Sequence, residues 1–171
     1  MQVNELLVEG FGRLPDLVRG AVEGLDAERL QWVPRPGVNS IGWLVWHLTR
    51  VQDDHVAELI PAEQLWATGD YAKRFGLEGQ ASDTGYGHTA EQVATVRPES
   101  PEALLEYFDA VHARTHAFLA RLTPEDLDRI VDERWDPPVS LGVRLVSVLD
   151  DDSQHVGQAA YVRGLLNSHS R

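Results

Sequence analysis

The chain has no cysteine. That absence excludes disulfides, thiolate metal ligands and a cysteine nucleophile, so any metal must be held by nitrogen and oxygen, and any thiol chemistry needs a thiol from outside. Lysine is nearly absent as well: Lys73 stands alone beside fourteen arginines, and 27 acids outnumber 15 bases for a formal net charge of −12. Affinity for a phosphate backbone rests on clustered cations, so no nucleic-acid partner is expected. No segment approaches the roughly 18 consecutive apolar residues of a membrane span, and Met1-Gln-Val-Asn-Glu5 lacks the basic start and apolar run of a signal peptide. A cytoplasmic protein with no membrane partner is expected. Phosphate-cradling glycine loops, a Gly-x-Ser-x-Gly elbow and a His-Glu-x-x-His motif are all missing, which leaves nucleotide-driven and serine-hydrolase readings without support.

What is present is an ordinary globular composition, 43% apolar and 25% charged over 171 residues. One domain spanning 1–171 follows. Four segments carry helical periodicity. The first runs from about Val3 to Leu25 with a bend near Pro15, and Asp26 caps a short turn to Trp32. The second starts at Asn39 or Ser40 and stops at about Ile60, before Pro61. The third runs from Ser100 to Leu122, where Ser100-Pro101-Glu102 supplies a cap, a first-turn proline and an acid. Thr123-Pro124-Glu125-Asp126 repeats that signal for a shorter helix to about Ile130. The fourth runs from about Ser140 to Leu166, and Asp152 and His155 interrupt its apolar seam. Residues 61–100 are irregular and glycine-rich, with one short helix expected at Thr89-Ala-Glu-Gln92. Without alternating strand patterns, these segments predict an all-α four-helix bundle with a long irregular connection between the second and third helices.

Two neighbourhoods carry chemistry. Asp151 and His155 stand four residues apart on one helix face, and His47 on the second helix is the candidate third ligand of a metal triad. Two imidazoles and a carboxylate suit a divalent first-row ion and leave positions open for a small-molecule substrate. A packed His155 beside a solvated Asp151 is the bland alternative. Asp152, three residues before His155, competes with Asp151 as the carboxylate, and otherwise stands behind the ligands with Gln154.

His55 lies two turns beyond His47 and roughly 80° around the axis. It is read as buried or substrate-facing. His88, in Asp83-Thr-Gly-Tyr-Gly-His88, is the loop residue placed to reach over the bundle end. Arg50 and Arg163 are candidates to meet a substrate carboxylate or to pair with one of the many acids. Trp43, Trp46, Trp66 and Trp135 are read as pocket lining or core, and His112 and His116 as solvated surface residues.

The run Trp32-Val-Pro-Arg-Pro-Gly-Val-Asn-Ser-Ile-Gly-Trp-Leu-Val-Trp-His-Leu48, with His155-Val-Gly-Gln158 and Arg163-Gly164 more than a hundred residues later, resembles the DinB-like superfamily. That group includes YfiT-like metal hydrolases, bacillithiol S-transferases and mycothiol-dependent maleylpyruvate isomerases. The resemblance implies an up-down-down-up bundle with a divalent metal, zinc or nickel most commonly, held by one histidine of the second helix and two ligands spaced by four in the fourth. This sequence matches at His47 and His155 but has Asp151 where most members have histidine. By resemblance the expected activity is thiol (mycothiol-type) transfer or isomerisation of a small electrophile, with a low-molecular-weight thiol as cosubstrate. Metal-dependent hydrolysis and a noncatalytic metal- or ligand-binding bundle remain the alternatives, and a homodimer is among the assemblies the resemblance implies.

Overall fold

The computed structural model describes residues 1–169. Its first helical arm is α1 (Val3–Gly12) followed at once by α2 (Leu14–Val22). The ladder breaks at Arg13, because Pro15 falls in the first turn of α2, where its missing N–H costs nothing. The short α3 (Ala27–Gln31) is capped by Asp26, whose carboxylate accepts from Arg29 N. The second long helix, α4 (Ile41–Leu59), is capped by Ser40 rather than Asn39: Ser40 Oγ accepts from Trp43 N, an arrangement worth about 1 kcal/mol.

The connection that follows contains three single-turn helices, α5 (Leu65–Thr68), α6 (Tyr71–Arg74) and α7 (Ala90–Val93). Only α7 was legible beforehand, from the reciprocal Thr89–Gln92 capping box that the structure contains. The third long helix, α8 (Pro101–Leu119), begins at the Ser100 cap and the proline.

The helix expected from Thr123 to Ile130 is not formed. Residues Glu125–Asp128 make one 3-10 turn, and the β-branched pair Ile130-Val131 then extends as β1 (Ile130–Asp132), pairing antiparallel with β2 (Val139–Ser140). Ser140 leads directly into α9 (Leu141–His169), the longest element.

The four long arms form the all-α bundle. Around its axis α9 packs against α4 and α2, α4 against α8, and α8 against α1. Helix α4 is therefore central. It is buried nearly all round, and its polar residues Ser40-proximal to Asp53, including His47, Thr49, Arg50, Gln52 and Asp53, are buried with it. Each such polar group needs an internal partner, and those partners organise the site. No helix among the described residues is long and apolar enough to cross a membrane.

Candidate metal centre

His47 projects from α4 towards α9, where Asp151 and His155 share one face by their spacing of four. One ligand atom from each lies within 4.8 Å of the other two. The rings of His47 and His155 have centroids 4.6 Å apart and stand nearly edge-to-face at 76°. Asp151 Oδ1 is 3.4 Å from His155 Nε2, and its other oxygen, Oδ2, is buried without a hydrogen-bond partner among the described residues. An orphaned buried carboxylate oxygen beside two imidazoles is a group that a cation completes.

The tautomers agree with that reading. His47 Nδ1 meets the Thr84 carbonyl oxygen at 2.5 Å, so Nδ1 carries the proton and Nε2 keeps its lone pair. His155 Nδ1 pairs with Gln158 Oε1 at 3.2 Å, which likewise frees Nε2 towards Asp151. Burial lowers the His47 pKa, against the pull of the Thr84 bond, and keeps the ring neutral. For His155, burial opposes the charge, but the hydrogen bond and charge of Asp151 with the Gln158 bond outweigh it and raise the pKa. Neutral nitrogen at His47 and a proton exchangeable for metal at His155 both fit a divalent ion. Three nitrogen and oxygen donors leave coordination positions open.

The strap 81–88 lies over His47, and Arg50 holds it there. Arg50 is fully buried; its guanidinium donates to the carbonyls of Ala81 and Asp83, to Gln64 Oε1 and to the Tyr107 hydroxyl. Its charge is balanced by Asp53, 3.6 Å away and equally buried. Asp53 also accepts from Leu65 N, Trp66 N and the Tyr107 hydroxyl, which ties the start of α5 to α4. Arg50 is thus the anchor of the strap rather than a group free for a substrate carboxylate, and Asp53 is not solvent-facing. An Arg and an Asp three residues apart, on one face of a helix that also carries a long apolar stripe, was the available signal for this pair. Thr84 offered none, since it acts through its backbone.

Other candidates fall in distinct places. Asp152 turns away from the metal group into the bundle, fully buried, and accepts from Gln52 Nε2 at 2.9 Å. Burial pushes its carboxyl well up, and the neighbouring Asp151 adds to this. The carboxylate brought to the two histidines is therefore Asp151. His88 uses both ring nitrogens, accepting from Trp43 Nε1 and donating to Asp83 Oδ1, and stacks on Trp46. It braces the strap.

Arg163 lies two turns beyond His155 and donates to the Ala21 and Glu23 carbonyls at the end of α2, away from the ligands. Of the tryptophans, Trp43 lies flat against His47 with ring centroids 4.6 Å apart, Trp46 and Trp66 are core, and Trp135 is exposed. His112 is half-buried against Phe108 rather than solvated, whereas His116 is exposed.

A cleft of about 340 Å³ opens beside the group, bordered by His47 and Asp151 and, further along α4, by Asp54 and His55. Burial, and then the charge of Arg144, lower the His55 pKa. A neutral imidazole therefore borders the same cleft as His47 and Asp151.

Fold and site together describe an α-helical bundle with a built two-histidine, one-carboxylate centre at the α4–α9 contact. The profile of the DinB superfamily matches residues 11–159, and the chain belongs to that superfamily. Among solved structures it is similar to a conserved protein from Enterococcus faecalis, with 30% identity and a TM-score of 0.89 over 98% of this chain and 99% of that one. No curated protein matches it.

Proposed function

We propose that the chain is a metal-dependent enzyme in which His47, Asp151 and His155 hold a divalent ion, zinc or nickel, and a low-molecular-weight thiol of the mycothiol type attacks a small electrophile beside it. The observation that carries this reading is the convergence of three ligand atoms within 4.8 Å, with the non-ligating nitrogen of each imidazole already engaged. When bound, the ion supplies Lewis acidity, lowering the pKa of a thiol or water presented to it or polarising a carbonyl.

The chain's own residues do the rest. Thr84 and Gln158 hold the imidazole tautomers, Trp43 excludes water from one face of His47, and the cleft to Asp54 and His55 admits and orients the small molecule. With no cysteine in the chain, the thiol that this reading requires must come from outside.

The test is turnover of a panel of electrophiles by metal-loaded protein, with and without added thiol. Thiol-dependent turnover that a chelator abolishes and that His47→Ala lacks is the expected result. Turnover independent of thiol would replace transfer by hydrolysis. Loss of metal from His47→Ala with no turnover in any wild-type arm would leave a noncatalytic metal-binding bundle.

A further inference from the structure

A second cavity, about 350 Å³, lies apart from the metal cleft, between the segment that joins α3 to α4 and the segment of α7 that leads to Val96. Its walls are held in place. Gly42 in the first turn of α4 sits so close to both flanks that a β-carbon there would meet the Leu30 carbonyl at 3.0 Å and the Pro98 ring at 3.2 Å. Val93 and Val96 are buried in the core, and Val96 N bonds to the Val93 carbonyl. The opposite wall carries Val33 and Val38.

Its charge is unlike that of the rest of the molecule. The chain carries 27 acids and a net charge of −12, yet no carboxylate borders this cavity among the described residues. Arg97 is the arginine in its wall, exposed and bonded through Nε to the Ala94 carbonyl, and His88, whose ring nitrogens are engaged by Trp43 and Asp83, is the other ionisable side chain there. The partial positive charge of the α4 N-terminus, at Asn39 and Ser40, lies on the same border. The metal cleft, by contrast, is bordered by Asp54 and Asp151.

We infer that this cavity binds a small amphipathic anion, an unbranched or aromatic carboxylate whose apolar body lies against Val33, Pro36, Val38 and Ala94 and whose carboxylate meets Arg97. The volume is in the range of small-ligand pockets, which begin at about 300 Å³. Apolar burial gives the affinity, and the guanidinium selects the sign of the head group.

Octanoate, octylamine and octanol titrated calorimetrically into the full-length protein test this. Octanoate should bind saturably, with octylamine about tenfold weaker or more. Arg97→Glu should lower octanoate affinity about tenfold or more and remove the preference over octylamine. Ala94→Phe, at an exposed position on the cavity wall, should abolish binding of all three while leaving the far-ultraviolet circular dichroism unchanged. Equal or tighter binding of octylamine, octanoate binding indifferent to both substitutions, or no saturable binding up to millimolar octanoate would overturn the inference. If Ala94→Phe does not fold, the Arg97→Glu comparison decides.

Discussion

Gly85 lies against His47 more closely than any side chain could: a β-carbon at Gly85 would come to 3.0 Å from His47 Nδ1 and to 2.7 Å from the Trp46 ring. Its φ of +88° is a second reason that only glycine fits. The strap can therefore lay the neighbouring Thr84 carbonyl on the imidazole. Gly85→Ala should lift the strap, costing about 1–3 kcal/mol in urea denaturation and weakening metal binding about tenfold or more. Metal affinity unchanged in this variant would show that the Thr84 bond does not orient His47.

Gln158 explains why a glutamine follows the fourth-helix histidine at a spacing of three. Its Oε1 is the acceptor for His155 Nδ1. Gln158→Leu should cost about 10–100-fold in metal affinity. Gln158→Glu keeps an acceptor and should retain binding, a rescue that a purely packing role would not produce.

The Arg50–Asp53 pair is a buried charge pair whose partners lie in the irregular connection and, through Tyr107 and Arg114, on α8. Asp53→Ala leaves the guanidinium uncompensated and should destabilise the fold by about 3–5 kcal/mol, read from chemical denaturation. Because Arg50 also holds the strap, Arg50→Met should lower metal affinity even where the bundle stays folded. A variant with stability loss but wild-type metal affinity would separate anchor from site.

How much of this was legible beforehand follows from periodicity and its limits. The caps at Ser40, Ser100 and Thr89 are local rules, and the structure obeys them. The convergence of His47, Asp151 and His155 was legible because a family motif marks the two histidines and the helix spacing of four puts Asp151 on the face of His155. The hairpin at Ile130 was hidden by a helix-start signal at Thr123 that stops after a single 3-10 turn. The Arg50 network escaped because the burial of α4 on all sides comes from the packing of α8, α9 and the connection around it, which no local pattern encodes. Thr84 acts through a carbonyl, and a carbonyl has no sequence signature.

The contributions of His55 and His112 to acid sensitivity have a definite sign. Burial lowers the pKa of His55 and His112, with the charge of Arg144 adding at His55 and that of His116 at His112. Both rings prefer the neutral form in the fold, so the unfolded chain binds more protons below its own value near 6.5. Their contribution to stability is complete above about pH 6.5 and is lost as pH falls from there through the lowered folded values. Asp152 and His155, whose pKa values the fold raises, titrate with the opposite sign, so the test is a difference: across this window the denaturation midpoint of His112→Gln, remote from the metal group, should fall less with acidification, or rise more, than that of the wild type. A pH dependence identical in the two proteins would contradict the burial effect at His112. Asp132 acts lower: its bonds to Arg134, with the charge of Arg144 adding, depress its carboxyl, so its stabilisation persists until pH falls well below the usual carboxylate range.

The central claim is that two imidazoles and one acidic oxygen share a single cation, and metal content measures it directly. Elemental analysis of untagged protein, repeated after titration with zinc and nickel, should give one divalent ion per chain. His47→Ala, His155→Ala and Asp151→Asn should each lose most of it, and Asp152→Asn should keep it. Folded protein that takes up no ion, or an ion content undiminished in His155→Ala, would contradict the account.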